Sequence, residues 1–191
     1  NINSKFIMGH SRLKTNGLYD NQPVFRNDIC LIHNGIIVNA DEIWNQISVS
    51  RMFEIDSEII VGLIIDLLGK GFQIENIPRE ILSLCEGTIS CAVAFLNLGK
   101  ILLFSNNGSL YLTKNQNGYY FSSESYPLKR ISLENVQQIR EDGVILEIPK
   151  SKSIKVFDEE SKVSNLIPNL INPEKKDKLL FYKDHKLKRC T

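Results

Sequence analysis

The chain has 191 residues, of which 42% are hydrophobic and 24% are charged, and its formal net charge is +1. This composition is ordinary for a globular protein, and the length fits one domain or one domain with a tail. The balanced charge gives no field that would attract nucleic acid or a membrane surface. The longest apolar run, residues 59–68, is too short to cross a bilayer. We therefore expect neither nucleic acid nor a membrane among the partners.

The first half of the chain predicts strands followed by helices. Residues 6–12 are predicted as a short strand, and residues 29–33 as a buried strand closed by Asn34-Gly35. Asn39 is predicted to cap a helix over residues 40–47, with Glu42 completing a capping box.

Two further helices are predicted after Asp56. Apolar residues at helical spacing follow Asp56, and Gly69 and Gly71 are predicted to end that helix. Residues 78–84 fit a third, short helix with Pro78 in its first turn.

The second half predicts antiparallel strands. Asn and Gly at 97–99, 106–108 and 115–118 are typical of hairpin turns. A strand, then helices, then a meander favours an α+β fold with antiparallel sheets over a parallel α/β fold. The predicted strands are 88–96, 100–104, 109–113, 119–123, 144–148 and 153–157.

The end of the chain differs from the rest. From Pro168 onward the strand pattern stops and charged residues are dense, which is typical of a linker. We therefore expect a domain over residues 1–165, and a linker with the start of a possible synthase domain over 166–191. Because Asn1 is not an initiator methionine, we also expect the chain to be a piece of a larger protein.

The cysteines and histidines give no metal or disulfide pattern. Three of the four cysteines lie in apolar runs, where buried free thiols are common, and this favours a reducing, cytoplasmic setting. His10 and His33 are each more typical of a structural histidine than of a general base, and His185 is distant in sequence. We expect no metal and no cofactor. The cysteines are Cys30, Cys85, Cys91 and Cys190.

Two charged residues each have two interpretations. Arg12 can bind a carboxylate through two parallel charge-assisted hydrogen bonds, or it can form a surface salt bridge. Asp56 can bind an ammonium group, or it can cap the helix that follows it.

The dipeptide Asn34-Gly35 is also open to two interpretations. The Asn side-chain amide and the Gly backbone N–H can point at one oxyanion, as a hydrolase of amides requires. Asn-Gly between apolar runs is equally the leading signal of a type I′ hairpin turn.

The order and spacing of these motifs resemble class II glutamine amidotransferases. The run HSRLKTNG at 10–17 is similar to their HTR-x-x-T-x-G signature, and HNGIIVN at 33–39 resembles their HNGIIEN. The run DSE at 56–58 before an apolar helix resembles their TDTE or TDSE helix start. Gly87-Thr88, the run NGSL at 107–110 and the run SSE at 122–124 resemble later strands of the family.

The resemblance implies an N-terminal-nucleophile hydrolase fold, a four-layer sandwich with antiparallel sheets between helices, whose N-terminal part is missing here. It implies that L-glutamine is held by Arg12 and Asp56 with Thr15 nearby, and that Asn34 and Gly35 are the oxyanion donors. The family's nucleophile is a cysteine at the mature N-terminus, which forms a thioester. The ammonia released would pass to a synthase domain on the same polypeptide or on a partner subunit.

Departures from the family pattern leave the subfamily and the activity of this chain open. Because the chain begins with Asn1, we expect it to be inactive as given. Residues 13, 14 and 16 differ from the glucosamine-6-phosphate synthase version, and Asn21-Gln22-Pro23 resembles asparagine-synthetase-like enzymes instead. Residues 187–191 resemble the start of a sugar amidotransferase domain.

The leading hypothesis is therefore the glutaminase domain of a glutamine-dependent amidotransferase that aminates or amidates a sugar. One rival is a non-catalytic glutamine-binding or regulatory module. Another is a structural interaction domain, against which the presence of both Arg12 and Asp56 argues.

Overall fold

The computed structural model of the protein describes residues 6–11, 21–131 and 135–148. The chain divides into two units, residues 1–150 and 151–191, and every described residue belongs to the first. The predicted strand at 153–157 and the predicted linker lie outside the described residues.

The described strands form two antiparallel sheets. Sheet A has the strand order β1-β2-β3-β4-β8, and sheet B has the order β6-β5-β7. The strands are β1 (Val24–Arg26), β2 (Ile29–Ile37), β3 (Gly87–Phe95), β4 (Lys100–Ser105), β5 (Tyr111–Asn115), β6 (Gly118–Ser122), β7 (Gln137–Gln138) and β8 (Val144–Glu147).

Four α-helices and one 3-10 helix complete the described unit. Helix α2 ends in a Schellman motif, since Phe72 N–H donates to Leu67 O and Gly71 N–H donates to Leu68 O. Gly71 has φ +86°, a conformation that glycine adopts without strain. The helices are α1 (Ala40–Trp44), α2 (Glu58–Gly69), the 3-10 helix (Ile74–Asn76), α3 (Ile77–Leu84) and α4 (Ser125–Ile131).

Two hydrophobic clusters lie on opposite faces of sheet A, because side chains alternate between the faces of a strand. Leu31, Ile89 and Val93 belong to the first cluster, together with the buried residues of α1, α2 and α3. Ala92 and Leu103 belong to the second cluster, together with residues of sheet B. The sheets and helices are therefore stacked in layers, with sheet A covered on both faces.

Most predicted elements are confirmed. The helix after Asp56 is α2, the helix at 78–84 is α3, and five predicted strands correspond to β3, β4, β5, β6 and β8 within a few residues. The turns at 97–99 and 115–118 join paired strands, as hairpins do. The sequence pattern missed β1, β7 and α4. The two strands it missed are only two or three residues long, too short to show a period.

Three local predictions were wrong. Residues 6–11 form no strand, and among the described residues no strand pairs with them. Residues 106–108 carry the chain from sheet A to sheet B, because β4 pairs with β3 and β8 whereas β5 pairs with β6 and β7. Helix α1 ends at Trp44, not at residue 47.

The predicted capping box at Asn39 was also wrong. Asn39 is the N-cap residue of α1, but its side chain makes no cap hydrogen bond. Its amide instead donates to Leu84 O at 2.9 Å and accepts from Glu86 N–H at 2.8 Å. Asn39 therefore ties the start of α1 to the connection between α3 and β3.

Candidate active site

Asn34 and Gly35 lie inside strand β2, not in a turn. They pair with Ser90 and Ile89 of β3, and the strand continues to Ile37. The hairpin interpretation of this dipeptide was therefore wrong. Because adjacent side chains of a strand point to opposite faces, Asn34 and His33 lie on different faces of sheet A.

Among the described strands, none pairs beyond Leu31 with the edge of β2 that faces away from β3, and we call this the open edge. Strand β1 is the edge strand of sheet A, and its last pair in this direction joins Val24 to Leu31. Beyond that pair, the His33 N–H donates to Gln22 Oε1 at 2.6 Å. The Ile37 N–H donates to Asp56 Oδ2 at 3.0 Å.

Gly35 lies midway between these two residues. Backbone N–H groups two residues apart in a strand point the same way, so the Gly35 N–H faces the open edge as well. Ile89, its partner in register, directs its own N–H and C=O to Asn106, on the far side of β3. The Gly35 N–H is thus positioned to donate to a group that approaches this edge.

Asp56 lies at the same edge. The N-cap residue of α2 is Ser57, which makes no side-chain cap bond, so the alternative that Asp56 caps the helix was wrong. The Asp56 carboxylate instead contacts the Ile37 N–H, two residues along β2 from Gly35. Two strand residues span about 7 Å, so the carboxylate and the Gly35 N–H are separated by about 7 Å. This distance is roughly the length of one bound amino acid.

Asn34 lines a polar cavity of about 250 Å³ on the face of sheet A that packs toward sheet B. Five serines belong to its lining, and His10 and Ser11 contribute from the segment before β1. Asp56 is absent from the lining, so its carboxylate lies at the strand edge and not inside this cavity. The lining residues are Gly9, His10, Ser11, Ile32, Asn34, Ser90, Ala92, Ser109, Leu110, Phe121, Ser122 and Ser123.

One wall of the cavity is fixed by hydrogen bonds centred on Asn107. The Asn107 Oδ1 accepts from Ser90 Oγ at 2.7 Å, from Ser105 Oγ at 3.0 Å and from the Ser109 N–H at 3.0 Å. These bonds join the end of β4 to the start of β5, where the chain changes sheets. The connection that was predicted as a hairpin therefore shapes the cavity.

His33 is buried, with 2% of its surface exposed. Its Nε2 lies 3.1 Å from Thr88 O, and its Nδ1 lies 3.0 Å from Ser57 Oγ. Burial lowers the pKa of His33 below its ordinary value, against the smaller opposing effects of Thr88 O and the Asp56 carboxylate. His33 is thus a satisfied, neutral histidine, as its sequence context favoured.

The described cysteines are free and are poor nucleophiles. Burial raises the pKa of Cys30 to about 11 and that of Cys85 to about 12, and the pKa of Cys91 is also raised. The thiolate is the reactive form of cysteine, so a high pKa suppresses attack. None of these three residues lines the cavity.

Two predicted site residues, Arg12 and Thr15, lie outside the described residues. Within the described ranges, no group of three or more His, Cys, Asp or Glu residues could hold a metal ion. Among the helices described, none has the length and apolar character that crossing a membrane requires.

The sequence matches a known family over most of its length. Residues 10–130 match the family described as a glutamine amidotransferase domain. The chain belongs to this family. The matched range contains Asn34, Gly35 and Asp56, together with the two predicted site residues that the structure does not describe.

Curated relatives include three glutamine–fructose-6-phosphate aminotransferases (isomerizing), among them those of Shouchella clausii and Gluconobacter oxydans. The chain is 26% identical over 156 residues to that of Shouchella clausii, covering 76% of this chain and 26% of the relative. It is 28% identical over 120 residues to that of Gluconobacter oxydans, covering 60% of this chain and 20% of the relative. The chain therefore spans about a quarter or less of the length of these relatives.

A solved structure has the same fold. Glutamine phosphoribosylpyrophosphate amidotransferase from B. subtilis superposes with a TM-score of 0.52 and 21% identity, covering 63% of this chain and 28% of that one. The α+β fold of N-terminal-nucleophile hydrolase type, which the sequence resemblance implied, is confirmed.

The sequence patterns did not indicate the residues that hydrogen-bond to His33 of β2. Gln22, Ser57 and Thr88 contact His33 directly, yet each is separated from it in sequence. The family-like runs at 21–23, 56–58 and 87–88 each contain one of them, so those motifs were the available signal. No periodicity indicates that residues so far apart form one network.

Proposed function

We propose that this domain hydrolyses glutamine and supplies the ammonia to an amination reaction in the intact protein. The observation that carries the proposal is the edge of β2, where the Asp56 carboxylate and the Gly35 N–H lie about one amino acid apart. Free glutamine has an ammonium group at one end and an amide at the other. At this separation, the carboxylate can bind the ammonium group while the oxyanion donor binds the amide oxygen of the same glutamine molecule.

The proposed roles follow from where the charge lies. Asp56 binds the α-ammonium group, which is charged throughout the reaction. The Asn34 side-chain amide and the Gly35 N–H donate to the amide oxygen, which gains negative charge only as the nucleophile attacks. Arg12 binds the α-carboxylate, with Thr15 nearby, and it directly follows Ser11, which lines the cavity beside Asn34.

The proposed nucleophile is a cysteine at the mature N-terminus of the intact protein, as the family resemblance implies. Its sulfur attacks the amide carbon and ammonia leaves, so that a thioester remains, which water then hydrolyses to glutamate. The buried thiols of Cys30, Cys85 and Cys91 do not compete for this role, because their pKa values are raised.

We further propose that the acceptor is a sugar. The curated relatives are named for the amination of fructose 6-phosphate, and this chain spans about a quarter or less of their length. A synthase domain on the same polypeptide or a partner subunit would then receive the ammonia.

The test is glutamine-dependent ammonia release by the full-length protein, with two carboxylates compared. We expect Asp56→Asn to raise KM for glutamine about tenfold or more, because the ammonium group loses its counter-charge in ground state and transition state alike. Asp41→Asn is the matched control, since Asp41 is an exposed carboxylate paired with Arg51. It should leave KM unchanged.

Three outcomes would contradict the proposal. Equal KM values for both variants would mean that Asp56 does not bind the ammonium group of glutamine. Glutamine binding without ammonia release, measured by calorimetry, would favour the regulatory module instead. Ammonia release from L-asparagine at the same rate would contradict a site sized for glutamine.

A further inference from the structure

The backbone of β2 next to the proposed oxyanion donors is held by side chains instead of a neighbouring strand. Gln22 is buried, and its amide pairs with His33 in both directions. Its Nε2 donates to His33 O at 2.9 Å, and its Oε1 accepts from the His33 N–H at 2.6 Å. The Gln22 amide thus replaces one peptide of a strand and continues the ladder of β1 past the point where β1 ends.

The hydrogen bonds of His33 define its tautomer. Thr88 O can only accept, so the proton of the neutral ring lies on Nε2. Nδ1 then accepts, and the Ser57 hydroxyl donates to it at 3.0 Å, a shorter contact than the 3.5 Å from Ser57 Oγ to Asp56 Oδ1. Ser57 Oγ in turn accepts from Gln22 Nε2 at 3.2 Å. Every donor in this chain of bonds meets an acceptor, and three separate segments are joined to β2.

The ring also lies directly against Gly35. A Cβ at position 35 would lie 2.7 Å from His33 Nε2 and would collide with Thr88 O. Gly35 has φ +153°, and the next N–H, that of Ile36, donates to the Thr88 hydroxyl at 3.3 Å. The contact between His33 and Thr88 O thus occupies the space beside Gly35 and restricts the conformation of the Asn34–Gly35 peptide.

We propose that His33 is a positioning residue, which bridges Thr88 O and Ser57 Oγ and thereby aims the Asn34–Gly35 peptide at the developing oxyanion. This inference rests on the proposed function. His33 acts through the peptide that follows it, because its buried ring is held between Thr88 O and Ser57 Oγ on the face of β2 opposite to Asn34. Its loss should therefore lower the rate of the chemical step more than the affinity for glutamine.

The test compares three variants of the full-length protein in steady-state glutamine hydrolysis. We expect His33→Leu to lower kcat about 30-fold and to change KM less than about threefold. The reason is that a displaced Gly35 N–H would no longer stabilise the oxyanion, which forms only near the transition state. His33→Gln should restore kcat to within about fivefold of the wild type, because its amide can donate to Thr88 O. Ser57→Ala removes the Nδ1 partner and one acceptor of the Gln22 amide but keeps the contact of His33 with Thr88 O, so it should lower kcat by less than His33→Leu.

Asn39→Ala is the structural control. Asn39 also makes two hydrogen bonds to the backbone, and it lies two residues after β2, but it supports the connection between α3 and β3. We expect it to lower the thermal midpoint without changing kcat. If His33→Leu does not fold, the Ser57→Ala variant and the His33→Gln rescue still test the proposal.

The outcomes separate the two proposals. If wild-type protein releases no ammonia from glutamine, the proposed function is wrong, and the role of His33 falls with it. If the wild type is active and the folded His33→Leu variant keeps its kcat, or changes only KM, the positioning role alone is wrong. The same holds if Asn39→Ala lowers kcat as much as His33→Leu, or if His33→Gln restores nothing.

Discussion

The two halves of strand β2 are built differently. In residues 29–31 the strand is paired on both sides, by β1 and by β3, and Leu31 is fully buried. In residues 33–37, β3 is the only described strand that pairs with β2. On the other edge, the side chains of Gln22 and Asp56 accept hydrogen bonds from the backbone N–H groups. One strand therefore has a closed half and an open half.

This difference shows how a strand inside a sheet can present backbone groups to a ligand. A continuous ladder would occupy the Gly35 N–H. An unsupported edge would leave the N–H groups of the buried residues His33 and Ile37 unsatisfied, at about 1–3 kcal/mol each. In the open half, side chains satisfy the groups on either side of Gly35. The N–H between them is left facing the edge.

The largest effect that we expect comes from removing a side-chain donor in the open half. Asn34→Ala should lower kcat about a hundredfold, or about 3 kcal/mol in the barrier, because the oxyanion exists only near the transition state. Arg12→Ala should mainly raise KM, because the α-carboxylate is charged throughout. Steady-state kinetics on the full-length protein would measure both.

Asn115→Ala is the control for this prediction. Asn115 lies in the hairpin between β5 and β6, where its Oδ1 accepts from the Asn117 N–H. It should leave kcat unchanged. A change only in KM for Asn34→Ala would mean that Asn34 binds substrate without stabilising the oxyanion.

A smaller effect, on stability, should follow from filling the space beside Gly35. Gly35→Ala places a Cβ against Thr88 O and His33 at a φ that L residues rarely adopt, and should lower the free energy of unfolding by about 1–3 kcal/mol. Gly69→Ala is the matched control, since no atom lies within 4 Å of its Cβ position in α2. It should be neutral or stabilising by up to about 1 kcal/mol. Urea unfolding would measure the difference, and equal effects would contradict the close packing at Gly35.

The smallest effect concerns pH. The pKa of His33 is lowered in the folded protein by burial, so below its ordinary value of 6.5 the unfolded chain takes up the proton first. The stability that His33 contributes is complete above this pH and is lost as the pH falls toward the lowered pKa. Urea unfolding between about pH 7.5 and pH 5.5 should show this loss in the wild type and less of it in His33→Gln. Identical slopes would contradict a buried, neutral His33.

Local patterns predicted well the elements that have enough length to show a period. The apolar spacing after Asp56 gave α2 and its glycine end, and the strand patterns gave most of both sheets. The wrong predictions concern residues that could form either a local cap or turn or a contact with a distant segment. Asn39, Asp56 and the Asn34-Gly35 dipeptide each fit a local cap or turn, but each contacts a distant segment instead.

The sequence by itself determined the family, the α+β class and the residue types that glutamine chemistry needs, because these depend on motifs and on periodicity within a segment. Only the tertiary structure decided that the Gly35 N–H and the Asp56 carboxylate share one edge of β2. The same is true of the hydrogen bond between His33 and Thr88 O beside Gly35. The physical reason is that strand pairing and side-chain hydrogen bonds join residues 19 to 55 positions apart. No local sequence pattern predicts those contacts.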